Sequence, residues 1–155
     1  PSIATKAVIL NMARPKLFLP AHFSFSTPIP VRITDINYGG HLGNDAVLSL
    51  LHEARMQFLK NAGYTELDFA GVGLIMANVT IEFKAEAFYG DVLKAYVTAD
   101  EFTKVGFDLA YKMLKDETET VIALARTGMV CFDYSKRRVV SVPQAVVQKH
   151  ASGAF

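Results

Sequence analysis

Only one stretch of this chain repeats its apolar residues with a helical period, and nearly everything after it repeats with the period of a strand. Val47, Leu50, Leu51, Ala54 and Phe58 share one helical face, widened by Leu48 and Leu59. Asn44 or Asp45 can cap the start by accepting from free N–H groups of the first turn, and Gly63, just after Asn61-Ala62, is a left-handed stop. The spacing predicts a helix of about 18 residues, roughly 27 Å long, ending near Ala62.

Beyond Gly73 the period drops to two. Ala77, Val79, Ile81, Phe83, Ala85 and Ala87 alternate with Asn78, Thr80, Glu82, Lys84 and Glu86. Leu93, Ala95, Val97 and Ala99 begin a second alternation, and Val105, Phe107, Leu109, Tyr111 and Met113 a third. Val121 to Phe132 is apolar on both faces except at Arg126 and Thr127, which predicts a central strand. Turns are expected at Tyr89-Gly90-Asp91, Lys115-Asp116-Glu117-Thr118 and Asp133-Tyr134-Ser135-Lys136. Val139 and Val140 finish a strand, and Pro143 opens a short helix through Lys149. Ahead of the long helix, Pro15, Pro20, Pro28 and Pro30 predict an irregular or edge-type lead-in over residues 13–30. Val31-Arg32-Ile33-Thr34 reads as a short strand, broken by Asn37-Tyr38-Gly39-Gly40-His41-Leu42-Gly43. A sheet with a single long helix must lay it across one face to bury both apolar surfaces, so the class is α+β.

The chain is 155 residues long, enough for one domain over 1–155 that buries roughly two-thirds of its unfolded surface. Residues 1–25 are expected as an irregular extension. Met12-Ala13-Arg14-Pro15-Lys16 reads like a natural start, with 1–11 as upstream or vector-derived sequence outside the functional argument. A net charge of +1, with only Lys136-Arg137-Arg138 as a basic cluster, argues against a nucleic-acid partner; that cluster reads as a solvated turn. The single cysteine, Cys131, lies in a strand-like run and is expected to be buried and inert. No apolar run approaches the roughly 20 residues that span a bilayer, and the expected location is cytoplasmic.

The segment Arg32-Ile33-Thr34-Asp35-Ile36-Asn37-Tyr38-Gly39-Gly40-His41-Leu42-Gly43-Asn44 resembles the signature R-x-x-D-x-D-x-x-G-H-x-N-N of the 4-hydroxybenzoyl-CoA thioesterase-like branch of the hot-dog superfamily. His52-Glu53-Ala54-Arg55, Phe88-Tyr89-Gly90-Asp91 and Arg126-Thr127-Gly128 continue the likeness, which covers about residues 28–147. The resemblance implies a five- or six-stranded antiparallel sheet wrapped round one helix, in a homodimer or homotetramer with active sites at the subunit interface. It implies acyl-CoA or acyl-carrier-protein thioesters as substrates, and no metal or cofactor.

Thioester hydrolysis needs a place for the developing oxyanion and a group that positions or deprotonates water. A helix N-terminus supplies the first, and Gly39, Gly40 and Gly43 let main chain approach a ligand. By position, the Asn44 N–H, with that of Gly43, matches the family's carbonyl-polarising donors. The second requirement is where the chain departs from the signature: the family aspartate is Asn37, whose amide orients water but cannot serve as a base. Three candidates remain. His41 can act as base near neutral pH. Glu53 sits where plant acyl-carrier-protein thioesterases of similar motif place a functional carboxylate, although it lies roughly 140° round the helix from the apolar stripe. Asp35 is either a catalytic carboxylate or an anchor for the glycine loop. Two functions follow: a hydrolase using Asn37, His41 and Glu53 around water, or a non-catalytic acyl-CoA or acyl-carrier binding protein that has lost the aspartate. A hydratase or dehydratase of the same fold finds no second His–Asp motif in support.

Overall fold

The computed structural model describes residues 17–155; the expectation for residues 1–11 lies outside them. The elements are β1 (Phe25–Pro30), a 3-10 turn (Ile33–Asp35), α1 (Asn44–Asn61), β2 (Gly73–Phe83), β3 (Val92–Asp100), β4 (Gly106–Lys115), β5 (Val121–Asp133), β6 (Arg138–Val139) and α2 (Gln144–Ala151). All strand pairs are antiparallel in a six-stranded sheet of order β1-β3-β4-β5-β2, with β6 attached to β5.

The long helix lies across one face of the sheet, as its apolar stripe requires. Val47, Leu50, Leu51, Ala54, Phe58 and Leu59 are all buried, whereas Leu48 stays 37 % exposed and adds little to the stripe. Across from them Val97, Leu109, Tyr111, Met113 and Met129 are almost wholly buried. Each large apolar side chain buried in this way contributes about 1.5–3 kcal/mol, which fixes the helix on the sheet. Gly63 ends the helix with φ +88°, a conformation glycine adopts without a side-chain clash. At the far end of α1, Phe155 packs against Phe58, Phe69 and Phe107 and holds the C-terminal helix down.

Two expectations at the N-terminal side are corrected. The strand expected at Val31–Thr34 gives way to a 3-10 turn at Ile33–Asp35, and the first strand lies earlier, within the proline-rich lead-in. Pro28 and Pro30 are tolerated there because β1 is an edge, bonded only to β3, and alternate residues of an edge strand need no donor. The helix is also not capped by Asn44 or Asp45. Its N-cap is Gly43, which makes no side-chain cap bond, while Gly43 O accepts the Val47 N–H at 3.1 Å.

On the opposite edge, β2 pairs only with β5, and a shift in pairing between Met76 and Asn78 marks a bulge. The bulge resets the side-chain alternation that the sequence carries unbroken through Ala77. β5 runs between β4 and β2, the central position its apolarity predicts. Among the described residues, no helix is long and apolar enough to cross a membrane.

Candidate functional site

The glycine-rich segment folds into a tight loop that delivers the chain into α1. Asn37 N–H donates to His41 O and Gly40 N–H to Asn37 O, each at 3.0 Å. Gly40 has φ +83°, so a side chain there would strain the turn. The loop is fastened outward by Leu42 N–H donating to Ala87 O at 2.7 Å.

Within this loop Asn37 and His41 converge. The Asn37 Oδ1 accepts the Gly39 N–H at 2.9 Å, which fixes the amide. A Cβ built on Gly39 would lie 3.2 Å from Asn37 Oδ1 and 3.3 Å from His41 Nε2, so both atoms face the small space that glycine leaves open. His41 Nδ1 lies 3.2 Å from Leu42 O. A carbonyl can only accept, so Nδ1 is the donor here, and in the neutral form of the ring the lone pair lies on Nε2. The Glu86 carboxylate stands 3.8 Å from Nε2, where it can steady a proton taken up there.

The donor side is narrower than the sequence suggests. Gly43 N–H donates to Asp35 O at 3.0 Å and is spent. The Asn44 N–H has no acceptor among the described residues. It is the first N–H of α1, where unpaired donors and the helix dipole favour negative charge. His41 and Asn44 both line a cavity of about 290 Å³.

Asp35 and Glu53 stand apart from this cavity. Asp35 is buried and its carboxylate is taken by Arg32, from the main-chain N–H at 2.8 Å and the guanidinium at 3.1 Å. Burial pushes the Asp35 carboxyl up, but the Arg32 bonds and charge outweigh it and hold the group below the usual carboxylate range. Glu53 is exposed and accepts from Gln57 Nε2 at 2.7 Å. It lines a second cavity, between α1 and β1, with Arg32 and Ser49. Within one chain, then, His41 and Asn44 share a cavity, Asn37 stands beside His41 across Gly39 without lining that cavity, and Glu53 lines another.

The sequence reading missed a buried network under α1. Arg55, 5 % exposed, donates to Glu66 Oε1 at 2.6 Å, and His52 Nε2 lies 3.4 Å from the other Glu66 oxygen. Tyr111, fully buried, bonds Thr127 at 2.9 Å. An arginine in an otherwise apolar helix face was the available signal, since such a charge must find a partner. Cys131 is buried, and burial pushes its thiol up to about 11, which keeps it protonated and unreactive. Among the cationic side chains, Arg126 is occupied by Asp100, Asp108 and Phe18 O, while Lys136, Arg137 and Arg138 are exposed at the turn into β6.

Comparison with known proteins agrees with this architecture. The model of the thioesterase-like superfamily matches residues 31–150. A 1,4-dihydroxy-2-naphthoyl-CoA hydrolase from Nostoc punctiforme is 27% identical over 128 residues, covering 81% of this chain and 85% of the relative. An Aquifex aeolicus protein named as an esterase is 26% identical over 98 residues, 62% of this chain and 73% of that one. The crystal structure of Slr0204, a 1,4-dihydroxy-2-naphthoyl-CoA thioesterase from Synechocystis, superposes with a TM-score of 0.73 at 22% identity, over 84% of this chain and 94% of that one. The shared fold is the hot-dog: one long helix wrapped by an antiparallel sheet. With the family model covering the glycine loop, the long helix and the whole of β2 to β6, the chain belongs to the thioesterase-like superfamily.

Proposed function

We propose that the protein hydrolyses an acyl thioester, acyl-CoA or acyl-carrier protein, in the cavity beside His41 and Asn44. The observation that carries this reading is the free Asn44 N–H at the start of α1, opening on the same cavity as the His41 ring. The thioester oxygen accepts from Asn44 N–H, and the helix dipole adds to the stabilisation as the oxygen becomes negative. A water over Gly39 donates one hydrogen to Asn37 Oδ1 and the other to His41 Nε2. Its oxygen attacks the carbonyl carbon as the proton passes to Nε2, with Glu86 steadying the imidazolium. The carbon–sulfur bond then breaks, the thiolate leaves, and the imidazolium returns the proton to it. The products are a free thiol and a carboxylic acid. Gly40 serves as the turn that brings the loop to the substrate, and Gly43 as the cap that aims Asn44. Asp35 holds the loop rather than the water.

Two copies pair through β2. The β1 edge carries Pro28 and Pro30, which have no N–H to give a new strand. The β2 edge has no proline and leaves Met76 38% and Phe83 48% exposed. Mass measurement in solution tests the pairing.

The test of the activity is release of free thiol from a panel of purified acyl-CoAs. Turnover that His41→Ala removes supports the hydrolase. Tight binding with no thiol released above the uncatalysed rate supports instead the binding protein, a reading favoured by the amide at position 37.

A further inference from the structure

The sheet has a second face, turned away from α1, and it is not bare. Alternate residues of a strand point to opposite sides. Val97, Tyr111 and Ala125 pair across the sheet and belong to the core under α1. The next row, Thr98, Ala110, Arg126 and Thr80, therefore looks outward. Yet Ala110 is wholly buried without belonging to that core, and Thr98 is 8% exposed.

The cover is the chain ahead of β1. Residues 17–24 cross the outer face and touch four strands in turn. Leu17 N–H donates to Glu82 Oε1 on β2 at 3.2 Å. Phe18 O accepts from Arg126 Nη1 on β5 at 2.7 Å. The Lys112 ammonium of β4 lies 5.4 Å from the centre of the Phe23 ring. That ring stands edge-on to Tyr96 of β3, with centroids 6.0 Å apart, and Ser24 Oγ is 3.2 Å from Thr98 Oγ1. Phe25 then starts β1. The crossing of three strand spacings is roughly 14 Å, which eight residues span without strain. Arg126 is a fixed post, because its other two guanidinium nitrogens are held by Asp100 and Asp108. Residues 17–24 lie ahead of the stretch 31–150 that matches the superfamily, so this crossing is an addition to the shared pattern.

What the segment occupies is the room a second sheet would need. Sheets pack face to face about 10 Å apart, and a chain lying on one of them fills that gap. The face beneath is also matched to itself in charge. Lys94 and Lys112 stand toward one end of it, Asp100 and Asp108 toward the other. A second copy turned end for end would set lysines against aspartates.

We propose that residues 17–24 are a strap that holds the outer face shut against a second copy of this chain, and that lifting the strap turns this face into a copy-to-copy contact. The Phe23 end is gripped by a ring and a cation; the Leu17 end is gripped through main-chain groups, with the Phe18 ring 77% exposed. The strap acts in this way whether or not the cavity beside His41 hydrolyses a thioester.

The experiment uses the full chain in four forms: unaltered, Phe23→Ala, Leu17→Pro, and Phe23→Ala with Ser24→Cys and Thr98→Cys. Leu17→Pro deletes only the N–H given to Glu82 and is the second loosening variant. The two new cysteines replace hydroxyls 3.2 Å apart and, once oxidised, tie the strap down; Cys131 is buried and takes no part. Chymotrypsin cleavage after Phe18 or Leu19, which needs the strap off the sheet, reports opening, and sedimentation at rising concentration reports mass. Phe23→Ala should be cut roughly tenfold faster, and at the highest concentration its mass should be about twice that of the unaltered protein. Leu17→Pro should move both readings the same way by less. The oxidised cysteine form should resist cutting and return to the unaltered mass, and reduction should undo this. Cutting that neither loosening variant speeds, faster cutting with no gain in mass, a gain in mass that the disulfide does not reverse, or cysteines that fail to join would each overturn the proposal.

Discussion

The main-chain oxygen of Asp35 accepts the Gly43 N–H at 3.0 Å, so the residue that pairs with Arg32 also fixes the N-cap of the long helix. The aspartate thus supports the site from behind through its backbone. Because its carboxyl is held below the usual range, the stability it contributes is fully present above the ordinary aspartate pKa of about 3.9 and is lost as pH falls through the lower folded value. Asp35→Asn should cost about 1–2 kcal/mol at pH 7. Melting curves taken from pH 7 downward should show the gap between the two proteins closing below about pH 4. A gap independent of pH would mean that the Arg32 pair contributes nothing.

The Asn44 N–H can be removed without breaking the helix. Asn44 is the first residue of α1, where proline is well accommodated, and Gly43 before it has φ −69° and ψ 146°, the extended conformation that a following proline requires. Asn44→Pro should lower kcat by roughly 10²–10³ while leaving the melting temperature nearly unchanged. Full activity in a folded Asn44→Pro protein would move the oxyanion site elsewhere.

His41 and Asn37 act on the same water, so their substitutions should differ in kind. His41→Ala removes the base and should cost roughly 10²-fold or more in kcat with little change in stability. Asn37→Asp keeps the oxygen that accepts the Gly39 N–H and adds a charge beside the water. It should raise kcat by roughly tenfold or more, read by thiol release with a saturating short-chain acyl-CoA.

Glu53 opens on a different groove and bonds to Gln57. Glu53→Gln should leave kcat/KM within about threefold, well below the roughly 10²-fold expected of a lost general base. A larger fall, with folding intact, would show that the carboxylate of one copy serves the cavity of another.

Arg55 is buried against Glu66, beside the Tyr111–Thr127 pair. Glu66→Gln leaves the buried Arg55 charge without its carboxylate and should cost roughly 3–5 kcal/mol, measured by urea unfolding. The loss should exceed that of Arg55→Met, since the glutamate left behind is a quarter exposed and keeps water and His52 as alternative partners.

How much of this was legible depended on how local each feature is. α1 and β3 to β5 follow from periodicity, because burial on one face writes itself into every second or every third and fourth residue. That Asn37 and His41 stand side by side was legible because one short loop closes on itself to make it so. β1 was obscured because Pro28 and Pro30 read as breakers, and only a partner strand on one side makes them acceptable. The helix cap was misread because Asn44 and Asp45 have the right side chains, but the fold of the glycine loop hands the cap to Gly43. The cavity was out of reach. Phe83, Ala85 and Ile122 meet His41 only through the register of β2 on β5 and the bonds to Ile122 O and Ala87 O, which no local pattern encodes. For Glu53, the angle round the helix foretold the separate groove in which the structure places it.

The two prolines of β1 have a consequence for growth. A sheet with two open ends can add copies without limit and run into fibres, as happens when contacts do not close on themselves. Here the β1 end lacks amide hydrogens at Pro28 and Pro30, so among the described strands the proposed pairing through the β2 end would leave no good template for a further copy. Replacing Pro28 and Pro30 would hand the molecule a second sticky terminus and with it a route to filaments.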